Sequence, residues 1–272
     1  MVGRARDHED QVARVAGLFS EDAPLYERYW AGSLARLGRR LLEDLPLADA
    51  GTVLDIGAGV GALLPALREA APGAYVVGVD AAEGMIRRAP QRFGRAVMDA
   101  GRMAIRDGSV DAAVMPFMLF FLPDPTHGLR EVHRILRPGG GLGVSTWAAE
   151  ANDFRADDVW AGVLDEFGAP PYPPASGLDL MDTPENLGTL LEEAGFADVR
   201  SGTGAEPEPM TLDEFLERRT SLGRSKRRCA SLAPEVREEV LRSARERLAE
   251  LRPEDFTDPQ VAVFGWGTKP RT

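Results

Sequence analysis

Three aspartates and a glycine run carry the chemistry legible in this chain. Residues 53–61 read VLDIGAGVG. A short apolar run ends there in Gly57 and Gly59, which let the backbone turn tightly and a ligand approach with no Cβ in the way. The spacing is G-x-G-x-G, not the G-x-G-x-x-G of dinucleotide folds. Asp55 stands two residues before the first glycine, where a carboxylate can bind an ammonium directly or through water. Asp80 closes the next apolar run, 75–79, and can accept hydrogen bonds from two ribose hydroxyls. Asp99 closes a third, 96–98, and can accept from an adenine amino group. An ammonium, a ribose and an adenine together describe S-adenosylmethionine better than a dinucleotide.

Such residues need strand ends to hold them. Apolar runs at 52–56, 75–79, 96–98, 110–116 and 141–147 alternate with helical patterns at 62–71, 84–89 and 126–136. That alternation predicts a parallel sheet with right-handed crossovers, its strands covered on both faces. Further on, Thr183 can cap a helix that Pro184 opens and Gly195 stops. Residues 197–201 and 261–267 read as the sixth and last strands. Residues 8–46 read as helices, with Leu34, Leu37, Leu41, Leu42 and Leu45 on one stripe. The expected fold is α/β: a Rossmann-like, doubly wound, mostly parallel seven-stranded sheet with a helical N-terminal segment and helical insertions.

The chain resembles a class I S-adenosylmethionine-dependent methyltransferase of the ubiquinone/menaquinone-methyltransferase-like group. Residues 53–61 resemble its first motif, 76–86 its second, 97–101 the adenine loop and 107–111 the lead into the fourth strand. Residues 129–140, LREVHRILRPGG, resemble the helix and turn before the fifth. The resemblance covers about residues 40–147. It implies S-adenosylmethionine as cofactor, leaving as S-adenosylhomocysteine. It also implies that Asp55, Gly57, Ala58, Gly59 and Gly61 face the methionine part and Asp80 the ribose. Asp99 and Ala100 would face the adenine, Ala81 and Met85 would pack nearby, and Met115 to Phe117 would lie near the sulfonium. The implied division is a helical cap at 1–47, a cofactor-binding core at 48–147 and a helical, proline-rich insertion at 148–189. Core helix and strand follow at 190–206, a helical insertion at 207–259 and the final strand at 260–272.

Methyl transfer mainly needs alignment and a dry site; a base is plausible but not obligatory. His127 is the candidate base, and Tyr26 resembles an entry-helix tyrosine that reaches the cofactor carboxylate. His8, flanked by Asp7, Glu9 and Asp10, reads as solvated, as does His133. After the fourth strand the run FMLFFL, 117–122, lacks polar residues and points to an apolar acceptor pocket. Phe19, Tyr29, Trp30, Phe120, Phe121, Trp160 and Tyr172 are the candidates to line it. The expected acceptor is a small, largely apolar, secondary-metabolite or polyketide-like molecule. The alternative is a methyltransferase fold that performs cyclisation or rearrangement with the cofactor as a structural part.

Composition narrows the classes further. Of 272 residues, 32 are basic and 43 acidic, a net charge of −11, which disfavours nucleic-acid partners. Six positive charges and no negative one fall at 218–228, leaving the remainder at −17; that run reads as a solvated face or an anion site. One cysteine and three histidines make a metal site improbable. With no long apolar run or signal-like start, the expectation is a cytoplasmic monomer or homodimer with no membrane partner.

Overall fold

The computed structural model describes residues 2–149, 154–171 and 177–271. Two helices open the chain, α1 (Val2–Tyr29) and α2 (Ala31–Arg39). Then come β1 (Thr52–Ile56), α3 (Leu64–Ala70), β2 (Tyr75–Asp80), α4 (Glu83–Ile86), β3 (Gly94–Val97), β4 (Val110–Pro116), α5 (Pro125–Ile135) and β5 (Leu136–Trp147). After α6 (Arg155–Glu166) and α7 (Pro184–Glu193) follow β6 (Ala197–Ala205), β7 (Glu208–Pro209), α8 (Leu212–Ser221), α9 (Gly223–Ala230), α10 (Pro234–Leu248), β8 (Thr257–Asp258) and β9 (Val261–Thr268).

Seven strands form one sheet in the order β3-β2-β1-β4-β5-β9-β6. The pairs from β3 to β5 are parallel, and β9 runs antiparallel to β5. The order reverses between β1 and β4, so the crevice that accepts ligands in such sheets opens at their carboxyl ends. The inner strands are continuously apolar because both faces are covered: Val53, Ile56, Ala112, Val114, Leu142 and Val144 are fully buried. Asp124 caps α5 through the His127 N–H at 2.9 Å, and Thr183 caps α7 through the Asn186 N–H at 3.1 Å. Among the described residues no helix is long and apolar enough to cross a membrane.

Several elements differ from the sequence reading. The glycine run does not pass straight into a helix: α3 starts only at Leu64 and has seven residues. β5 begins at Leu136, so Pro138, Gly139 and Gly140 lie within the strand. The stretch 207–259 is not wholly helical, since β7 and β8 pair antiparallel inside it.

The chain splits into two compact units. The first contains residues 1–149, 175–204 and 262–272, so all of α7 packs with the sheet, with Leu187 and Leu191 fully buried. The second contains 150–174 and 205–261: the two stretches read as separate insertions share one core. That core is built from Phe154, Trp160, Val163, Phe215, Val240, Leu248 and Phe256.

Trp160 is therefore not offered to an acceptor. It is 1% exposed, and its indole N–H donates to Ser225 Oγ at 2.5 Å. Three cations of the basic run are likewise engaged within this core. Arg218 forms a bidentate pair with Glu208 at 2.8 and 3.0 Å. Arg219 lies over the Phe154 and Phe215 rings, and Arg228 donates to Asp165 and the Ala169 carbonyl. Trp160→Ala should destabilise the protein by about 3–5 kcal/mol in urea unfolding, and Trp160→Phe by clearly less.

Candidate functional site

The site begins with a charge that has nowhere to go. β1 carries Asp55 into the interior, 1% exposed, and among the described residues neither carboxylate oxygen has a hydrogen-bond partner. Burial, and then the nearby Asp80 carboxylate, push its pKa up to about 7. A carboxyl whose folded value lies above its free value stabilises the fold most when protonated. That contribution is full below the free value near 4 and is lost as pH rises through about 7. A cationic ligand placed there reverses the balance by stabilising the ionised form.

Asp80, at the end of β2, is held differently. Oδ2 accepts the Gly59 N–H at 2.8 Å and Oδ1 the Ala82 N–H at 2.7 Å. Burial raises its pKa, opposed by those two donors. The carboxylate thus ties the glycine turn of β1 to the start of α4, and each oxygen keeps a second lone pair.

Gly57, Gly59 and Gly61 all adopt left-handed backbone conformations, with φ of 73°, 55° and 73°. Their surroundings differ. A Cβ on Gly57 would lie 2.6 Å from Met118, and one on Gly59 would lie 3.2 Å from Met85 and 3.6 Å from Tyr26. A Cβ on Gly61 would strike Ala89 at 2.7 Å and Leu64 at 2.8 Å. At Gly61 the absent Cβ makes room for Ala89 and Leu64. Ala58 faces the sheet, 3.0 Å from where a Cβ on Gly78 would sit, while its N–H donates to Val79. Met115, the penultimate residue of β4, is wholly buried in the main core. Ala81 is half-buried; Met85 and Ala100 are buried.

Helix α1 lies along this site. Tyr26 approaches Gly59, and burial together with Asp80 and Asp55 raises its phenol pKa, so it keeps its proton and can donate it in a hydrogen bond. Ser20 Oγ accepts the Gly84 N–H at 3.1 Å, and a Cβ on Gly84 would lie 2.7 Å from the Ser20 carbonyl oxygen. Pro24, inside the helix, has no N–H to give that carbonyl. His8 is not a solvated residue: its Nε2 lies 2.8 Å from Asp99 Oδ2. His133 is also drawn in, its ring edge-on to Phe196 at 5.2 Å and its pKa lowered by burial and by Lys269.

His127, the candidate base, meets the adenine loop: its Nε2 lies 3.0 Å from the Gly101 carbonyl oxygen, which can only accept. That hydrogen bond ties the ring to the loop through one of its two nitrogens. Aromatic rings gather around the loop after β4. Phe19 contacts Phe121 at 5.1 Å and Tyr26 at 6.2 Å, and Phe120 contacts Phe121 at 4.5 Å. Trp147, at the end of β5, stands 4.6 Å from Phe117 and 6.3 Å from Trp30. Phe117 has φ 53°, a strained conformation for a phenylalanine, held by its N–H to the Ser145 carbonyl at 2.9 Å. Tyr29 is buried beneath the Arg28 guanidinium. Tyr172 lies outside the described residues.

Ser20, Trp147 and His8 join the site without having been expected there. Trp147 was reachable from its place as the last residue of a strand beside β4; the other two make contacts that no local pattern encodes.

The chain matches the family described as methyltransferase domain over residues 54–144. It is 32% identical over 202 residues to a demethylmenaquinone methyltransferase of Thermus thermophilus, covering 66% of this chain and 91% of that one. It is 32% identical over 174 residues to a 27-O-demethylrifamycin SV methyltransferase of Amycolatopsis mediterranei, covering 53% and 63%. A solved SAM-dependent methyltransferase from Archaeoglobus fulgidus shares the fold, with TM-score 0.52, 19% identity and coverage of 90% and 98%. The chain belongs to the class I S-adenosylmethionine-dependent methyltransferases. S-adenosylmethionine is accordingly its cofactor, and an unpartnered buried carboxylate beside a Cβ-free turn fits the ammonium of that group.

Two substitutions probe the cradle, with a third as control. Gly57→Ala and Gly84→Ala should each weaken S-adenosylhomocysteine binding more than about tenfold by calorimetry, because backbone or loop must shift. Gly108→Ala also meets a positive φ, 61°, but has open space around it. It should lower stability by about 1 kcal/mol or more and leave affinity unchanged.

Proposed function

We propose that the protein methylates a small, largely apolar acceptor of secondary-metabolite or polyketide-like chemistry. The observation that carries this is a pair of aromatic clusters built on the loop after β4, one of Phe19, Phe120 and Phe121 and one of Phe117, Trp147 and Trp30. Two relatives are named for demethylmenaquinone and 27-O-demethylrifamycin SV, which supports a small-molecule acceptor.

When bound, the cofactor supplies an electrophilic methyl group on a sulfonium. What the chain adds is binding, alignment and exclusion of water. Asp55 holds the ammonium, with Gly57 and Gly59 beside the methionyl part. Asp80 binds the ribose, Asp99 and Ala100 the adenine, and Met85 and Ala81 pack against it. Tyr26, its proton retained, donates a hydrogen bond toward the methionyl end. His127 supports the loop and takes no proton from the acceptor. Phe117 is placed by its strained backbone to bound the acceptor's path to the methyl.

Methyl-labelled cofactor should transfer label to quinol, phenol or polyketide acceptors, with product mass rising by one methyl group. Label appearing only on RNA or protein would contradict the reading, as would a rearranged product of unchanged mass. Trp147→Ala should raise acceptor KM roughly tenfold through lost apolar contact, with S-adenosylhomocysteine affinity within about twofold.

A further inference from the structure

The loop that follows β3 is gripped from both sides. Its Gly101 N–H donates to Asp99 Oδ1 at 2.8 Å, and its Gly101 carbonyl oxygen lies 3.0 Å from His127 Nε2. The second Asp99 oxygen is taken by His8 from α1, ninety-one positions away in sequence, at 2.8 Å. The contact is close: a Cβ on Gly101 would stand 3.0 Å from His8 Cε1 and 3.2 Å from its Nε2. The imidazole therefore lies against the loop backbone while its nitrogen meets the carboxylate. Both side chains are about one-quarter exposed, so the pair sits at the mouth of the site, neither deep in the core nor free in solvent.

Donors on two different oxygens fix the rotation of a carboxylate. Each oxygen retains a lone pair, so the group is oriented without being saturated. On the cofactor reading above, Asp99 is the acceptor for the adenine amino group. We infer that His8 is a positioning residue for adenine recognition: it holds the Asp99 carboxylate in the orientation that receives the amino group and pins the start of α1 over the adenine loop. Ser20 on the Gly84 N–H and Tyr26 beside Gly59 are two further points where the same helix meets the site. His8 thus completes a strap that touches the adenine, ribose and methionyl ends in order along one helix.

The test uses the full chain, with S-adenosylhomocysteine and its inosine counterpart, which carries an oxo group in place of the amino group, as probes in calorimetry. His8→Ala should weaken S-adenosylhomocysteine binding about tenfold, the scale of a lost hydrogen bond to a charged group. The inosine counterpart, which has no amino group to give Asp99, should change by less than about twofold. His8→Gln, which restores a donor at similar reach, should recover S-adenosylhomocysteine binding to within about threefold of the unsubstituted protein. Equal losses on both probes would make His8 a support of the helix alone and overturn the inference, as would no loss on either. Failure of the unsubstituted protein to bind S-adenosylhomocysteine at millimolar concentration would instead overturn the cofactor reading itself.

Discussion

A carboxylate buried at the end of β1 with no hydrogen-bond donor among the described residues is the constraint on which this structure turns. Burying an unpaired charge is costly enough that the group takes up a proton instead. Asp55 does so, its pKa pushed up to about 7 by burial and by Asp80. The fold keeps this unfavourable residue at the point where the strand order reverses, beside a turn with no Cβ at Gly57 and Gly59. A hydrophobic residue there would serve stability better. A carboxylate is of use when a cation arrives, as the ammonium of S-adenosylmethionine does.

The first helix closes that arrangement. Pro24 leaves the Ser20 carbonyl without its helical donor, and Gly84 approaches at that place, its N–H on Ser20 Oγ. Two backbones can come this near only because one residue lacks an N–H and the other lacks a Cβ. The same helix brings Tyr26 to the glycine turn and His8 to the adenine loop. Catalysis of this kind needs alignment and dryness more than proton transfer, and the groups around the site agree. Tyr26 keeps its proton, His127 holds a loop carbonyl through Nε2, and the residues after β4 are apolar.

Much of this was legible in the residues. The first and fourth strands fall where the apolar runs place them, and all three aspartates sit at or just past strand ends. Those signals are local: an apolar run, a glycine pair, an acid at its end. What escaped was long-range. The His8 contact with Asp99 spans ninety-one positions, so its charged neighbours suggested only solvent. Trp160 read as an acceptor residue because periodicity cannot show that two distant insertions pack on each other. Gly61 belongs to the motif by spacing, yet its neighbours Ala89 and Leu64 lie elsewhere along the chain or beneath the turn.

A cation at the site should shift Asp55, whose pKa burial and Asp80 push up to about 7, to its ionised form. Carbon-13 NMR of labelled aspartate carboxyls, with Asp55→Asn to assign the signal, measures this directly. The ligand-free protein should show one carboxyl titrating near 7, and saturation with S-adenosylhomocysteine should drive it to the ionised form throughout that range. An Asp55 carboxyl that titrates near 4 without ligand, or does not respond to S-adenosylhomocysteine, would contradict the account.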